Sequence, residues 1–347
     1  MIVLVTGATG FIGGALCRTL VERGDQVVAF HRYSSSLAGL TDLPIQRVIG
    51  DLTDEASIQA AMRYYPDAVV HLAARRLSTR SLDPLYAVNV VGARLVFQEA
   101  FRAGVRRVVF VSAASTVGCV VGRAPDGGKI IPVTESHGTE LRIEDEPFTA
   151  SKKLAETEAQ WALAYGLDVV TVNPGQVVGP GDRSRRKLNL ITRFAEKPPA
   201  FRFDGGINLI DIRDVVDGLI GAIDYGERGR RYLLTGENLT YDDLYRKLSE
   251  ITGKPAPALK IGSGAVNRYF RLKQRARSLF PAGGSDSDPA RLAGKYYFYN
   301  NESSRLALRL RPARRRPPRS APARWRMRAL RYRSTTKTSS SPCEPPT

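Results

Sequence analysis

Thr6-Gly7-Ala8-Thr9-Gly10-Phe11-Ile12-Gly13 follows a short apolar run, Ile2 to Val5, and opens a segment with apolar residues one helical turn apart. In a strand–loop–helix unit, Gly7 permits the tight turn, Gly10 lets a diphosphate approach the backbone, and Gly13 allows the helix to pack closely. The spacing therefore predicts a dinucleotide site, although three glycines also occur in a purely structural turn. The residues expected to line the diphosphate are Gly7, Thr9, Gly10, Phe11, Ile12 and Gly13.

Strand-like and helix-like runs alternate along the first half of the chain. The β-branched runs are apolar nearly throughout, as strands covered on both faces must be. This alternation predicts an α/β fold, a Rossmann-type doubly wound parallel sheet with a smaller C-terminal substrate lobe. The runs are 2–5, 27–30, 45–48, 68–72, 108–111 and 169–172, with a further strand end at 209–212, a helix at 214–225, a strand at 232–234 and a capped helix at 240–252. We expect a nucleotide-binding domain at 1–175, the lobe at 176–312 with 209–235 returning to the core, and a basic tail at 313–347.

Length and composition exclude several classes of protein. The chain has 347 residues, 43% hydrophobic and 25% charged, as is typical of globular proteins rather than disordered ones. No apolar run is long enough to span a bilayer, and the N-terminus has no secretory pattern, so we expect a cytoplasmic protein. Three cysteines and three histidines at unrelated spacings indicate neither a disulfide framework nor a zinc site, and we expect no metal.

The net charge of +18 is concentrated at one end of the chain. From Arg305 to Thr347 there are 12 Arg and one Lys against Glu344 alone, which is +12. An arginine-rich arm attracts phosphate whatever its sequence. We favour the simpler interpretation that this segment is a disordered, frameshifted or recently altered terminus, and we do not expect nucleic acid as a partner.

The residues after the second and third strand-like runs predict the choice of nucleotide. Arg32 stands where an acidic residue would bind the adenosine ribose hydroxyls, and an arginine there accommodates a 2′-phosphate. We therefore expect NADP, with NAD as the alternative if Arg32 is only a surface charge. Asp51 is expected near the adenine, unless it caps a helical turn from Asp51 to Glu55.

Six motifs occur in the order found in extended short-chain dehydrogenases/reductases, which the chain resembles over about residues 1–312. The nearest branch holds dihydroflavonol reductases, 3β-hydroxysteroid dehydrogenases and NAD-dependent sugar epimerases. The resemblance implies that Leu52, Leu72, Ala73 and Ala74 line the cofactor, that Asn89 supports the central sheet, and that Pro174 and Gly175 pass the nicotinamide. The motifs are 6–13, Gly50-Asp51-Leu52, His71-Leu72-Ala73-Ala74, Asn89-Val90-Val91-Gly92, Asn173-Pro174-Gly175 and Gly179-Pro180-Gly181-Asp182. His71 is interpreted as a buried strand-end residue.

The chain departs from this family at the catalytic centre. The family places Tyr-x-x-x-Lys at a helix start, where the lysine binds the nicotinamide ribose and lowers the tyrosine pKa, and the tyrosine exchanges a proton with the substrate oxygen. Here Lys152 is present, but position 148 is Phe148. The family's catalytic serine falls at Ala114 or Ala113, flanked by Ser112 and Ser115. We therefore expect impaired or rerouted proton chemistry, with water, Ser115 or Thr149 as the proton source. Tyr86 is a candidate replacement for the missing catalytic tyrosine, but the sequence gives no geometry that would place it at the site.

Two functions follow from these residues. One is an NAD(P)-dependent oxidoreductase or epimerase acting on a hydroxyl or carbonyl of a small-molecule substrate. The other is a catalytically silent NADP(H)-binding sensor or partner-binding protein. The basic loop 183–187 has two interpretations: it binds the diphosphate of a nucleotide sugar, or it is a solvated surface. The apolar side chains of Phe194, Phe201 and Phe203 would instead suit a steroid-like or flavonoid-like alcohol as the substrate. A homodimer would use Leu95, Val96 and Trp161, unless these residues pack in the core.

Overall fold

The computed structural model describes residues 1–76, 83–121, 130–137, 146–182, 190–262, 264–266, 268 and 292–310. Contacts divide the chain into two units, Met1–Leu310 and Arg311–Thr347, and all of the described residues lie in the first. The basic tail and the loop 183–187 lie outside the described residues. Among the helices that the structure does describe, none has the length and apolar character needed to cross a bilayer.

A seven-stranded parallel sheet forms the centre of the first unit. Its strands are β1 (Ile2–Thr6), β2 (Gln26–His31), β3 (Gln46–Ile49), β4 (Ala68–His71), β5 (Arg107–Val111), β7 (Val169–Pro174) and β11 (Arg231–Leu234). The strands missing from this series belong to other sheets: the two-residue β6 (Val120–Val121) lies between β5 and β7 in the chain, and three strands of the lobe lie between β7 and β11. The order across the sheet is β11-β7-β5-β4-β1-β2-β3. The order reverses between β1 and β4, and nucleotides bind at the carboxyl ends of the strands beside such a switch point. The predicted doubly wound fold is confirmed.

Helices cover both faces of this sheet because its strands alternate apolar side chains between two cores. Val3 and Val5 belong to one buried cluster and Leu4 to the other. The helices of the unit are α1 (Phe11–Glu22), α2 (Glu55–Met62), α3 (Asp83–Leu85), α4 (Gly92–Arg102), α5 (Pro147–Ala164), α6 (Leu190–Glu196), α7 (Ile212–Tyr225), α8 (Tyr241–Thr252) and α9 (Glu302–Ala307). A π-helical turn spans Tyr86–Val91 and a 3-10 turn Ala114–Thr116.

The lobe contains two smaller sheets. One holds β12 (Glu237–Thr240), β10 (Gly206–Asp211), β14 (Lys295–Tyr296) and β6, with β8 (Gln176–Val178) also paired to β10; the other pairs β9 (Phe201–Phe203) with β13 (Leu259–Ile261). Helix α7 packs on the main sheet and β11 pairs with β7 in it, whereas the partners of β10 are the strands of the lobe. Thr240 caps α8 by accepting a hydrogen bond from the amide of Asp243, as predicted.

Apolar side chains from α6, β9 and α8 form the core of the lobe. Phe194 and Phe203 are buried and pack against Tyr245 and Tyr241. The interpretation of these two phenylalanines as a surface for a flat substrate is therefore wrong, because their rings fill the lobe's own core. Phe201 is 37% exposed.

Candidate functional site

The glycine loop lies at the switch point, against the segment that follows β4. Gly7 has φ of +71°, and a Cβ there would lie 2.8 Å from the backbone N and Cα of Ala73. A Cβ on Gly13 would lie only 2.2 Å from the carbonyl oxygen of Gly7. Both positions therefore require glycine, and the backbone of Leu72 and Ala73 lies beside the loop.

The start of α1 presents backbone donors without a side-chain cap. Gly10 is the N-cap residue and offers no side chain to accept a hydrogen bond. A Cβ at Gly10 would approach the carbonyl oxygen of Gly7 at 3.1 Å, with no other described atom among its neighbours within 4 Å. The first amides of a helix have no intrahelical acceptor and carry the positive end of the helix dipole. This arrangement fits a diphosphate, and Thr9 and Phe11 flank the N-cap Gly10 in the chain.

Thr6 and His71 join the ends of β1 and β4. The Thr6 hydroxyl lies 2.8 Å from His71 Nδ1 and accepts a hydrogen bond from the amide of Ala73 at 3.3 Å. Burial, with a smaller effect of the Lys152 charge, lowers the pKa of His71 to about 3. His71 is fully buried, as predicted, and stays neutral at ordinary pH.

Arg32 and Asp51 lie at the ends of β2 and β3, where the adenosine half of a dinucleotide would bind. Arg32 is exposed, and within the described residues its guanidinium makes no hydrogen bond or ion pair. Asp51 accepts from the amide and hydroxyl of Thr53, and these bonds, together with Arg32 and Arg75, keep its pKa below the usual value although burial opposes them. The helix-cap interpretation of Asp51 is wrong, because α2 is capped by Asp54. Leu52 is buried behind Asp51.

Phe148 and Lys152 lie one turn apart at the start of α5. Lys152 is almost fully buried, and its ammonium lies 4.5 Å from the centre of the Phe110 ring. Burial lowers the Lys152 pKa to about 8, against the opposing charge of Glu156. The Arg76 guanidinium lies 5.1 Å from the centre of the Phe148 ring. An arginine therefore stacks on the ring of Phe148.

Asn89 connects the segment after β4 to α5. Its side-chain oxygen accepts from the amide of Arg75 at 2.7 Å, and its amide donates to Ser151 Oγ at 2.9 Å. Ser151 in turn donates to the carbonyl oxygen of Phe148 at 2.7 Å. Asn89 thus fixes the loop and helix that border the site. Tyr86 is part of the same π-helical turn, but it is 39% exposed and contacts Arg94 on the outer surface.

The loop after β5 directs its hydroxyls in two directions. Ser112 and Thr116 donate to Glu156 Oε1 at 2.6 and 2.5 Å. Ser115 Oγ instead lies 3.0 Å from Thr149 Oγ1. Ala114 is buried in an apolar cluster with Val117 and Val133. The structure therefore brings Ser115 to α5 at Thr149, beside Phe148, and commits Ser112 to a buried acid.

Glu156 was not predicted from the sequence. Its carboxylate is 5% exposed and also accepts from Asn173 Nδ2 at 2.9 Å and Arg231 Nη2 at 2.6 Å. One feature of the sequence could have indicated it: Glu156 follows Lys152 by four residues, so the two side chains lie on the same face of α5. Its partners come from three different strands or loops, so no local pattern specified them.

Pro174 and Gly175 end β7 at the same edge of the sheet. The Gly175 amide donates to the carbonyl of Leu234 at 2.9 Å. A Cβ on Gly175 would lie 2.6 Å from Asn208 Oδ1, so the residue must be small. This backbone segment is held between β11 and the side chain of Asn208.

The parallel sheet, the glycine loop at its switch point and the buried lysine one turn into α5 define a dinucleotide-binding protein of the Rossmann class. The chain belongs to the NAD dependent epimerase/dehydratase family, whose model matches residues 3–234. It is 39% identical to sterol demethylase protein B of Methylococcus capsulatus over 81% of this chain and 84% of that protein. It is 36% identical to a putative dihydroflavonol 4-reductase of Synechocystis, over 82% of each. Among solved structures, the Bordetella bronchiseptica enzyme WbmH in complex with NAD+ matches with a TM-score of 0.63 at 26% identity, over 75% of this chain and 85% of that one.

Proposed function

We propose that this protein is an NADP(H)-dependent oxidoreductase that interconverts a secondary alcohol and a carbonyl on a small-molecule substrate. The observation that carries this proposal is the buried Lys152, whose charge acts on His71 at the end of β4, in a chain whose glycine loop after β1 has sterically required glycines. A buried ammonium is costly unless it meets a ligand or partner charge. A sterol, a flavonoid-like alcohol and a sugar nucleotide are the substrate classes supported by the relatives' names and by the family.

Each part of the proposed cofactor has a matching group in the chain. The start of α1 would hold the diphosphate, Arg32 the 2′-phosphate, Asp51 the adenine, and Lys152 the nicotinamide ribose. When bound, the nicotinamide accepts or donates hydride at C4. Ala73, Ala74, Pro174 and Gly175 are expected to border its rings because their small or fixed backbones leave room there. The unpaired guanidinium of Arg32 favours NADP over NAD.

Two apolar residues argue against the usual proton route. Phe148 has no proton to exchange, and Ala114 is packed among apolar side chains. A positioned acid or base contributes about 10² to 10⁴-fold to the rate, so we expect slow or rerouted chemistry. The Arg76 guanidinium over Phe148 favours a second candidate, a catalytically silent NADP(H)-binding protein, because a positive group there would attract an anion rather than relay a proton.

A titration and one substitution test this function. The full chain is titrated with NADPH and with NADH, followed by nicotinamide fluorescence, and then assayed with UDP-glucose, pregnenolone and dihydroquercetin. We expect tighter binding of NADPH. Phe148→Tyr should raise turnover on the accepted substrate by about 10² or more, whereas the matched Phe101→Tyr on the surface of α4 should leave it unchanged. No affinity for either nucleotide would contradict the oxidoreductase and the silent binder alike. NADPH binding with no turnover, even in Phe148→Tyr, would favour the silent binder.

We also propose that a second copy of this chain covers the aromatic surface of α4 and α5. Trp161 is 67% exposed, and Phe101 and Tyr165 are exposed beside each other, with ring centres 5.2 Å apart. Clustered exposed aromatic residues are typical of interfaces. Val96 is fully buried in the core, so its predicted place on this surface is wrong.

A further inference from the structure

Ser115, Thr149 and Glu146 form a chain of hydrogen bonds beside Phe148. Ser115 Oγ lies 3.0 Å from Thr149 Oγ1, and Thr149 Oγ1 donates to Glu146 Oε2 at 3.1 Å. A threonine hydroxyl has one proton. Because Thr149 uses it toward Glu146, Ser115 must be the donor in the first bond. The lone pairs of Ser115 Oγ are then available to accept a hydrogen bond from a substrate hydroxyl.

The far end of the chain is an ionised carboxylate. Glu146 Oε1 accepts from Lys295 Nζ at 2.8 Å and from Tyr297 Oη at 2.7 Å. Burial acts to raise the pKa of Glu146, but the Lys295 charge and the hydrogen bonds outweigh it and keep the pKa below its ordinary value. The Glu146 side chain is 17% exposed, which gives the carboxylate a route to solvent water.

The other hydroxyls of the loop after β5 are already used. Ser112 and Thr116 both donate to the buried Glu156 further along α5, so their protons are already used. Ser115 is half-buried and meets α5 one residue after Phe148, at Thr149. It is therefore the one hydroxyl of 112–116 that is bonded to the first turn of α5 rather than to Glu156.

We propose that Ser115 is the catalytic hydroxyl for alcohol oxidation and that Thr149 and Glu146 carry the proton away from it; this rests on the proposed function. When bound, the oxidised nicotinamide nucleotide would accept at C4 the hydride that leaves the substrate as its C–H bond breaks. The substrate hydroxyl proton passes to Ser115 Oγ, the Ser115 proton to Thr149 Oγ1 and the Thr149 proton to Glu146 Oε2. The substrate C–O bond becomes a carbonyl, and Glu146 releases the proton to water. Reduction follows the same steps in reverse.

Substitutions that remove and then restore one hydroxyl test the relay. The full chain is assayed for NADP+ reduction with the substrate accepted among UDP-glucose and pregnenolone. Thr149→Val keeps the shape of the side chain but removes its hydroxyl, and should lower kcat about 10²-fold while NADPH affinity stays unchanged. Thr149→Ser should restore kcat to within about threefold. Thr252→Val, which removes a hydroxyl near the end of α8, is the matched control and should have the wild-type kcat.

Two further variants keep the test decisive if Thr149→Val is poorly folded. Ser115→Ala removes a half-buried hydroxyl and should lower kcat as much as Thr149→Val does. Glu146→Gln cannot accept the proton, so it should remove the acidic limb of the kcat profile against pH, which a merely structural role would leave in place. Unchanged kcat in Ser115→Ala, or a loss in Thr149→Val that Thr149→Ser does not restore, would overturn the relay alone. A wild-type chain that binds NADPH but oxidises neither alcohol would overturn the relay together with the proposed reaction.

Discussion

Replacing Glu156 with alanine should destabilise the fold far more than replacing any exposed acid of the same helix. The carboxylate is 5% exposed and accepts hydrogen bonds from Ser112, Thr116, Asn173 and Arg231. These partners come from the loop after β5, from β7 and from β11. One side chain of α5 therefore holds together three neighbouring parts of the main sheet at its carboxyl edge.

The magnitude follows from the donors that would lose their acceptor. An unsatisfied buried polar group costs about 1–3 kcal/mol, and removal of one partner of a buried ion pair costs about 3–5 kcal/mol. The single hydroxyl proton of Thr116 has the carbonyl of Ala113, 2.8 Å away, as an alternative acceptor, and Asn173 also donates to that carbonyl. These contacts limit the loss at both residues, and the Arg231 side chain is 24% exposed. We therefore expect Glu156→Ala to lower the free energy of unfolding by about 3–5 kcal/mol in total, without loss of helix propensity.

Urea unfolding followed by circular dichroism measures this difference. Glu158→Ala is the matched control, two residues further along α5, because its half-buried carboxylate is paired with Arg94 on the surface, where Arg94 is 44% exposed. A surface pair contributes about 1 kcal/mol or less. If Glu156→Ala costs no more than Glu158→Ala, the reasoning from buried hydrogen bonds is refuted.

Three more predictions follow from the geometry. Gly13→Ala should lower NADPH affinity at least about tenfold and lower the free energy of unfolding by about 1–3 kcal/mol, because the new Cβ would lie 2.2 Å from the Gly7 carbonyl oxygen. In the control Gly14→Ala, the nearest neighbour of the new Cβ would be 3.7 Å away, so NADPH binding should be normal. Equal affinities of the two variants in a fluorescence titration would contradict this reasoning. His71 has a folded pKa of about 3 against an ordinary value of 6.5, so the unfolded chain binds its proton first, and stability should fall as the pH drops from 6.5 toward 3, by up to about 1.4 kcal/mol per pH unit from this group. The urea concentration at the midpoint of unfolding should depend less on pH in His71→Gln than in the wild type across that range. An equal dependence on pH in both proteins would count against a neutral, buried imidazole at His71. Trp161→Glu should leave the unfolding free energy within about 0.5 kcal/mol of wild type and halve the mass seen by sedimentation, whereas an unchanged mass would remove the proposed dimer surface.

The fold was predictable because its signals are local. All six β-branched runs of the first half are strands of the parallel sheet, since a strand buried on both faces must be apolar throughout. Gly24, which follows the C-cap of α1, has φ of +90°. The glycine loop was also readable, because Gly10 and Gly13 lie against the carbonyl oxygen of Gly7 within their own strand–loop–helix unit, although Gly7 itself lies against the segment after β4.

The proton-transfer groups were less predictable because they depend on tertiary contacts. The sequence indicated that Tyr and Ser were missing, and it named Ser115 and Thr149 as candidate proton sources. It gave no sign of Glu146 or Glu156. The first is bound by Lys295, which lies 149 residues away, and the second by Arg231, 75 residues away. Strand β5 also ends at Val111, so the alternation expected for an extended strand does not apply to Ser112 and Ser115.

The two positions at which the sequence resemblance expects catalytic hydroxyls lie close to another pair of hydroxyls. By that resemblance a hydroxyl is expected at or before position 114 and a phenol at 148, and in this chain both positions are apolar. The next residue in each segment, Ser115 and Thr149, carries a hydroxyl, and the two oxygens lie 3.0 Å apart. A 3-10 turn at Ala114–Thr116 turns Ser115 toward α5 while Ala114 stays in the apolar cluster. The two hydroxyls that meet are therefore those one residue further along each segment. A threonine does not ionise in the physiological range as a phenol next to a lysine does, so this pair requires a separate base. Glu146, one turn before Thr149, supplies a carboxylate at that place.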